Sequence, residues 1–155
     1  MRKQLNKSDV ADLNVLIERS FGVSDFFGKK DRVLDCDENN LRFVLSDDVL
    51  FFYRDDKLVP TLKLLLKRPL LKVVVVDMGA VRFVVSGADV MRPGIVELDS
   101  SIQEGELVVV VDQSHKKPLC VAVSLLSGQE ILALEQGKVL KNIHWVGDGI
   151  WKLVP

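Results

Sequence analysis

The stretch from residue 73 to residue 94 constrains the fold more than any other part of the chain. It opens with Val73-Val74-Val75-Val76, and β-branched side chains stiffen χ1 and favour extended backbone, so the run reads as a strand. Gly79 then gives a turn into a short helix, on which Val81, Val84 and Val85 face inward and Arg82 faces solvent. Ser86-Gly87-Ala88 and Met91-Arg92-Pro93-Gly94 follow as a Gly/Pro-punctuated loop. The segment from 79 to 94 holds no His, Cys or Glu, so neither a metal site nor an activated nucleophile is expected in it. Its glycines let the main chain approach a ligand closely, and Arg82 and Arg92 supply fixed positive charge. That combination suits a phosphate-bearing partner, and binding rather than catalysis.

Upstream, Asn6-Lys7-Ser8-Asp9 opens a helix with Ser8 as the expected N-cap. Val10, Leu13, Leu16 or Ile17, and Phe21 recur at helical spacing, and Gly22 ends the helix. Residues 32–36, 41–45 and 49–54 read as strands, with the pairs Asp47-Asp48 and Asp55-Asp56 at turns. Pro60 suits the first turn of a second helix over 61–67, with Leu62, Leu65 and Leu66 on one face and Lys63 and Lys67 on another. After residue 73 the pattern changes to short strands and frequent turns. Residues 107–112 and 119–126 form a hairpin across the turn at 114–118, and 143–146 and 150–153 flank Gly147-Asp148-Gly149 as another. Many short strands with regular turns favour a small closed barrel, because closure removes sticky edges. The expected fold class is therefore α+β: a small N-terminal α/β domain over residues 1–72 and a C-terminal barrel over 73–155, packed as a rigid pair.

Charge divides along the same line. Residues 1–72 carry fourteen basic and twelve acidic side chains, residues 73–155 seven and ten, and the whole chain is at −1. Bulk attraction to nucleic acid is thus absent, and any such binding must be local. The local candidate is a strip free of acidic residues, with Lys57, Lys63, Lys67, Arg68 and Lys72, for RNA-backbone contact or for holding the two domains together. No segment has the features of a signal peptide or a membrane span, and Cys36 and Cys120 are expected as buried thiols in a reducing, cytoplasmic setting. His115 and His144 lack partners at ligand spacing, so no metal or other cofactor is expected. His144, Trp145 and Trp151 are expected in or capping the core, with base stacking the alternative for Trp151. No Ser/His/Asp, Cys/His or Walker-type constellation is present, so the chain is not expected to be an enzyme.

Several motifs in order resemble a PUA domain, the RNA-binding barrel named for pseudouridine synthases and archaeosine transglycosylases. They are Val76-Asp77-Met78-Gly79-Ala80, Ser86-Gly87-Ala88, Met91-Arg92-Pro93-Gly94, Leu119-Cys120-Val121-Ala122-Val123, Gly137-Lys138-Val139, and Asn142-Ile143-His144-Trp145 with Gly147-Asp148-Gly149-Ile150-Trp151. Upstream, the segment from Val59-Pro60-Thr61 to Lys67-Arg68-Pro69 is similar to the linker of the malignant T-cell-amplified sequence family and its archaeal relatives, which place a pre-PUA domain before the barrel. The resemblance implies a non-enzymatic binder of structured RNA, either tRNA or small-subunit rRNA, associated with the ribosome. By the same resemblance the RNA-facing residues are Arg82, Ser86, Gly87, Ala88, Met91, Arg92, Pro93 and Gly94, with Trp151 and Lys152 from a C-terminal strand. A separate translation factor or RNA-modification subunit is the implied protein partner. Two alternatives stand beside this reading: a substrate-capture module of an RNA-modification complex, and a protein–protein adaptor that has lost RNA binding.

Overall fold

In the computed structural model, which describes residues 1–155, the chain forms two sheets joined by one short helix. The first sheet is antiparallel in the order β1 (Arg2–Gln4), β2 (Leu34–Glu38), β3 (Leu41–Ser46), β4 (Asp48–Arg54), β5 (Lys57–Pro60), with α1 (Lys7–Phe21) inserted between β1 and β2. Its tight turns rest on side chains that tolerate left-handed backbone: Asn39-Asn40 at φ 54° and 62°, and Asp55-Asp56 at 50° and 62°. The second of these turns pairs Arg54 with Lys57. Residues 57–60 therefore belong to a strand that the sequence reading did not include. The other strand of this sheet that it did not include, β1, is exposed throughout and so has no apolar alternation.

Helix α1 begins earlier than expected. Asn6, not Ser8, is the N-cap, and its Oδ1 accepts the Asp9 N–H at 2.8 Å. Leu13 and Ile17 bury its inner face among Phe27, Val33, Val44 and Phe51, and Gly22 closes it at φ +74°. Pro60 ends β5 instead of starting a helix. Thr61 caps the shorter α2 (Leu62–Leu65), where its Oγ1 accepts the Leu64 N–H at 3.3 Å and donates to Val49 O at 2.7 Å. Leu62 and Leu65 enter the core between the sheets and Leu64 enters the α1 core, whereas Leu66, expected beside them, is exposed.

The second sheet contains β6 (Lys72–Val76), β7 (Val90–Met91), β8 (Ile95–Leu98), β9 (Leu107–Asp112), β10 (Pro118–Ser124) and β11 (Lys138–Trp145), with α3 (Met78–Val84) and α4 (Gly128–Ala133) packed on it. Strand order is β7-β11-β10-β9-β6-β8, and β6 with β9 is a parallel pair. The ladder does not close. It is a curled half-barrel whose edges, β7 and β8, are consecutive in the chain and separated by one 3₁₀ turn, Arg92–Gly94. The seam is thus crossed by the chain itself rather than by a strand ladder. Helix α4 escaped the sequence reading although Ser127 and Glu130 form a reciprocal capping box.

No strand forms over 150–153, contrary to expectation. The segment winds around Asp148, whose Oδ1 accepts the Trp151 N–H at 2.8 Å while Oδ2 accepts the Trp145 N–H at 3.0 Å and meets His144 Nδ1 at 2.8 Å. A carboxylate that satisfies so many donors bends the backbone out of any ladder. Fully buried His144 then reaches across to the first sheet's side of the molecule: its Nε2 accepts the Leu62 N–H at 3.1 Å, and its ring meets Phe52 edge-on. Because a backbone N–H can only donate, Nε2 must carry the lone pair and Nδ1 the proton. Around this link Val75, Val109, Val111 and Val121 of the second sheet share one apolar cluster with Phe43, Phe52 and Val59 of the first.

Candidate nucleic-acid interface

The seam of the half-barrel is held by polar ties from three directions. Asp77, directly after β6, caps α3 by accepting the Ala80 N–H at 2.9 Å, and its own N–H donates to Gly94 O at 2.9 Å. Asn142 on β11 donates from Nδ2 to Val84 O at 2.9 Å and Ala88 O at 3.1 Å, and from its backbone to Asp89 Oδ1 at 2.9 Å. Gly87, at φ +94°, lies flat on the Trp145 ring, where a Cβ would fall 2.8 Å from the nearest ring atom. Arg92 donates from its backbone to Gly137 O at 2.8 Å, from Nε to Ile131 O at 2.8 Å and from Nη1 to Ile95 O at 3.2 Å. The loop and corner are therefore rigidly placed.

Between α3 and the corner lies an open groove of about 620 Å³, lined by Gly79, Ala80, Phe83, Ala88, Met91 and Pro93, with Gly94 behind them. Phe83 is 54% exposed and Met91 50% exposed. The Arg82 guanidinium stands 4.7 Å from the centre of the Phe83 ring. On the rim, Lys138 Nζ is 3.5 Å from Asp89 Oδ2, and Asp77 adds a further carboxylate. The groove thus offers an apolar floor, an exposed aromatic ring and, beside that ring, one arginine clear of any ion pair.

The residues nominated from the sequence divide into groups. Ala88, Met91, Pro93 and Gly94 line the groove, Arg82 stands at its lip, and Ser86 and Gly87 form the loop beside it, with Ser86 Oγ donating to Arg82 O at 2.7 Å. Arg92 turns inward to main-chain carbonyls. Trp151 and Lys152 are not on a strand and do not line the groove; Trp151 packs in the cluster between the sheets, with Lys63 Nζ 5.3 Å from its ring centre. The basic strip also disperses. Lys72 pairs with Glu106 at 3.1 Å, Lys57 begins β5, and Arg68 lies 4.7 Å over the Phe26 ring. Phe83, Asp89, Lys138 and Asn142 were absent from the sequence nominations. Phe83 was findable, because once Val81, Val84 and Val85 point inward it is an aromatic residue on the outer side of the helix.

Both thiols are buried, and burial pushes Cys36 and Cys120 up, Cys120 strongly. No three His, Cys, Asp or Glu side chains come together as a metal site.

A curled half-barrel with a capped helix and a glycine-bearing corner at its seam defines the chain's class: the PUA domain model matches residues 72–146. Over nearly its full length the chain is 45% identical to an uncharacterized protein of Methanocaldococcus jannaschii, covering 95% of this chain and 93% of that one. It is 32% identical to malignant T-cell-amplified sequence 2 of Homo sapiens (89% and 82% covered) and 29% identical to translation machinery-associated protein 20 of Saccharomyces cerevisiae (83% and 76% covered). A hypothetical protein of Pyrococcus horikoshii OT3 superposes with a TM-score of 0.81 at 33% identity, covering 98% of both chains. The chain belongs to the PUA-domain family of malignant T-cell-amplified sequence and translation machinery-associated 20 proteins.

Proposed function

We propose that this protein binds structured RNA of the translation apparatus, tRNA or small-subunit rRNA, in the cytoplasm and without a reaction of its own. The observation that carries the reading is the rigid groove at the half-barrel seam, with Phe83 and Met91 exposed and Arg82 stacked at its lip. An exposed aromatic ring beside an arginine is the surface on which an unpaired base stacks, and it is sequence-tolerant because every base has a π-face. Arg82, Ser86, Gly87, Ala88, Met91, Pro93 and Gly94 form the contact surface; Arg92 serves by fixing the corner. The names of the relatives support the assignment to translation. The enclosed thiols and the groove's lack of histidine support binding over catalysis. A separate translation-factor or RNA-modification partner would use what the RNA-bound chain leaves free.

The test is filter binding of unfractionated tRNA and of small-subunit rRNA fragments to the full chain and to Phe83→Ala. The reading expects binding by the wild type that the substitution weakens. A chain that retains no RNA at low salt, yet captures a protein through the groove, is the adaptor alternative.

A further inference from the structure

The groove at the seam is poor in available positive charge. Arg92 is committed to carbonyl oxygens, Lys138 to Asp89, and Asp77 lies on the same rim. An RNA ligand carries a phosphate at every nucleotide, and phosphate neutralisation supplies most of the sequence-independent affinity. If the groove holds RNA, the phosphates must find cations elsewhere on the molecule.

The fold gathers such cations at the junction of the two sheets, from three segments distant in the sequence. Arg68, just after α2, lies over Phe26, and the loop that carries Phe26 continues into the exposed pair Lys29-Lys30. Lys63 lies on α2 and Lys67 in the turn that follows it, where the Lys67 N–H donates to Leu64 O at 2.9 Å. Lys63 in turn lies over Trp151, which is followed by exposed Lys152. None of these six cations has a carboxylate within ion-pair distance, and the acidic side chain nearest in sequence to the lysine pair, Asp31, is turned to the Gly28 N–H at 2.8 Å. Arg68 and Lys63 are laid on aromatic faces from other segments, and the ring quadrupoles favour the cations in those positions.

This row of cations also connects to the groove. The Asp148 carboxylate accepts from the Trp151 N–H, whose ring underlies Lys63, and from the Trp145 N–H, whose ring underlies Gly87 of the seam loop. One short turn thus ties the Trp151 end of the cation row to the seam loop beside the groove.

We propose that the row Lys152–Lys63–Lys67–Arg68–Lys29/Lys30 is a second RNA contact, a phosphate-binding track that carries the backbone of an RNA held in the groove across the junction onto the N-terminal half. The proposal rests on the RNA-binding reading of the groove and assigns the two surfaces different tasks: stacking and shape in the groove, charge on the track. It replaces the linear strip of residues 57–72, because Lys72 is paired with Glu106 and Lys57 stands on β5, whereas Lys29 and Lys30 join from a separate loop.

The two tasks separate by salt dependence. Unfractionated tRNA is titrated with the full chain between about 50 and 200 mM salt, the range over which phosphate neutralisation dominates the change in affinity. The quadruple variant Lys29→Gln, Lys30→Gln, Lys67→Gln, Arg68→Gln is expected to bind at least about tenfold more weakly at low salt. The slope of log K against log salt should fall by roughly 0.7–0.9 for each phosphate that no longer meets a cation. The double variant Lys29→Gln, Lys30→Gln leaves the Arg68–Phe26 pair intact and should show about half the change in slope, with an unaltered thermal unfolding curve. Phe83→Ala should weaken binding with the slope preserved. A wild-type slope in both charge variants, with Phe83→Ala still defective, overturns the track and leaves the groove reading standing. A lowered slope in the charge variants with Phe83→Ala unaffected supports the track and removes the groove. Wild-type protein that binds phosphatidylserine vesicles in place of tRNA overturns the track as an RNA surface.

Discussion

Gly87 and Arg92 show how single residues set the seam. Gly87 combines a left-handed φ of 94° with an aromatic ring where its Cβ would stand. A side chain there strains the backbone and displaces Trp145, so Gly87→Ala should destabilise the chain by about 1–3 kcal/mol in denaturant titration. Wild-type stability in that variant would mean that the loop is free to move off the ring. Arg92 reads from the sequence as a phosphate ligand, since a lone arginine in a glycine loop carries no sign of where it points. The 3₁₀ turn aims its Nε at Ile131 O, which also accepts the Leu134 N–H at 3.1 Å, and its Nη1 at Ile95 O. Residue type was legible in the sequence at this corner; side-chain direction was not.

At the scale of elements, α2 and the Asp148 turn join the two halves through one imidazole. His144 satisfies the Leu62 N–H at the start of α2 and meets the Asp148 carboxylate at the end of β11, with no solvent access. His144→Ala removes partners from both buried groups and leaves a cavity, and should cost about 3 kcal/mol or more by chemical denaturation. An effect below about 0.5 kcal/mol, the range of an ordinary surface change, would show that the link carries little of the junction. The sequence reading recovered elements with strong periodicity or strong turn residues, such as α1 and β2 to β4. It missed β5 because the Asp55-Asp56 turn was recognised without its returning strand, and it extended the C-terminal hairpin because Gly-Asp-Gly favours one in isolation. The deciding interactions at Asp148 reach the His144 ring and two backbone amides, and none of them is visible as a spacing.

At the scale of the molecule, several carboxylates are held below their ordinary range. Backbone N–H groups, first that of His115, lower Asp112; Ser101 lowers Asp99; and the Ser127 cap lowers Glu130. Burial raises Asp148, but hydrogen bonds from His144, Trp151 and Trp145 outweigh it. A carboxyl whose folded pKa is depressed contributes stability that is fully present above its unfolded value, about 4, and lost as pH falls through the folded value. Stability should therefore be flat on the acid side down to about pH 5 and decline below about pH 4, as read by the denaturation midpoint across pH. A midpoint independent of pH over that range would contradict the hydrogen-bond assignments.

The division of labour across the whole molecule, a rigid groove for bases and a junction for phosphates, depends first on the groove. The most direct measurement is the dissociation constant of the full chain and of Phe83→Ala for tRNA and small-subunit rRNA fragments at low salt, with unfolding midpoints recorded on both proteins. The account predicts that the wild type binds RNA and that Phe83→Ala, at an unchanged midpoint, binds about tenfold more weakly or worse, as expected for removal of a stack of about 1–3 kcal/mol. No RNA bound by the wild type, or equal affinity in the two proteins, would contradict it.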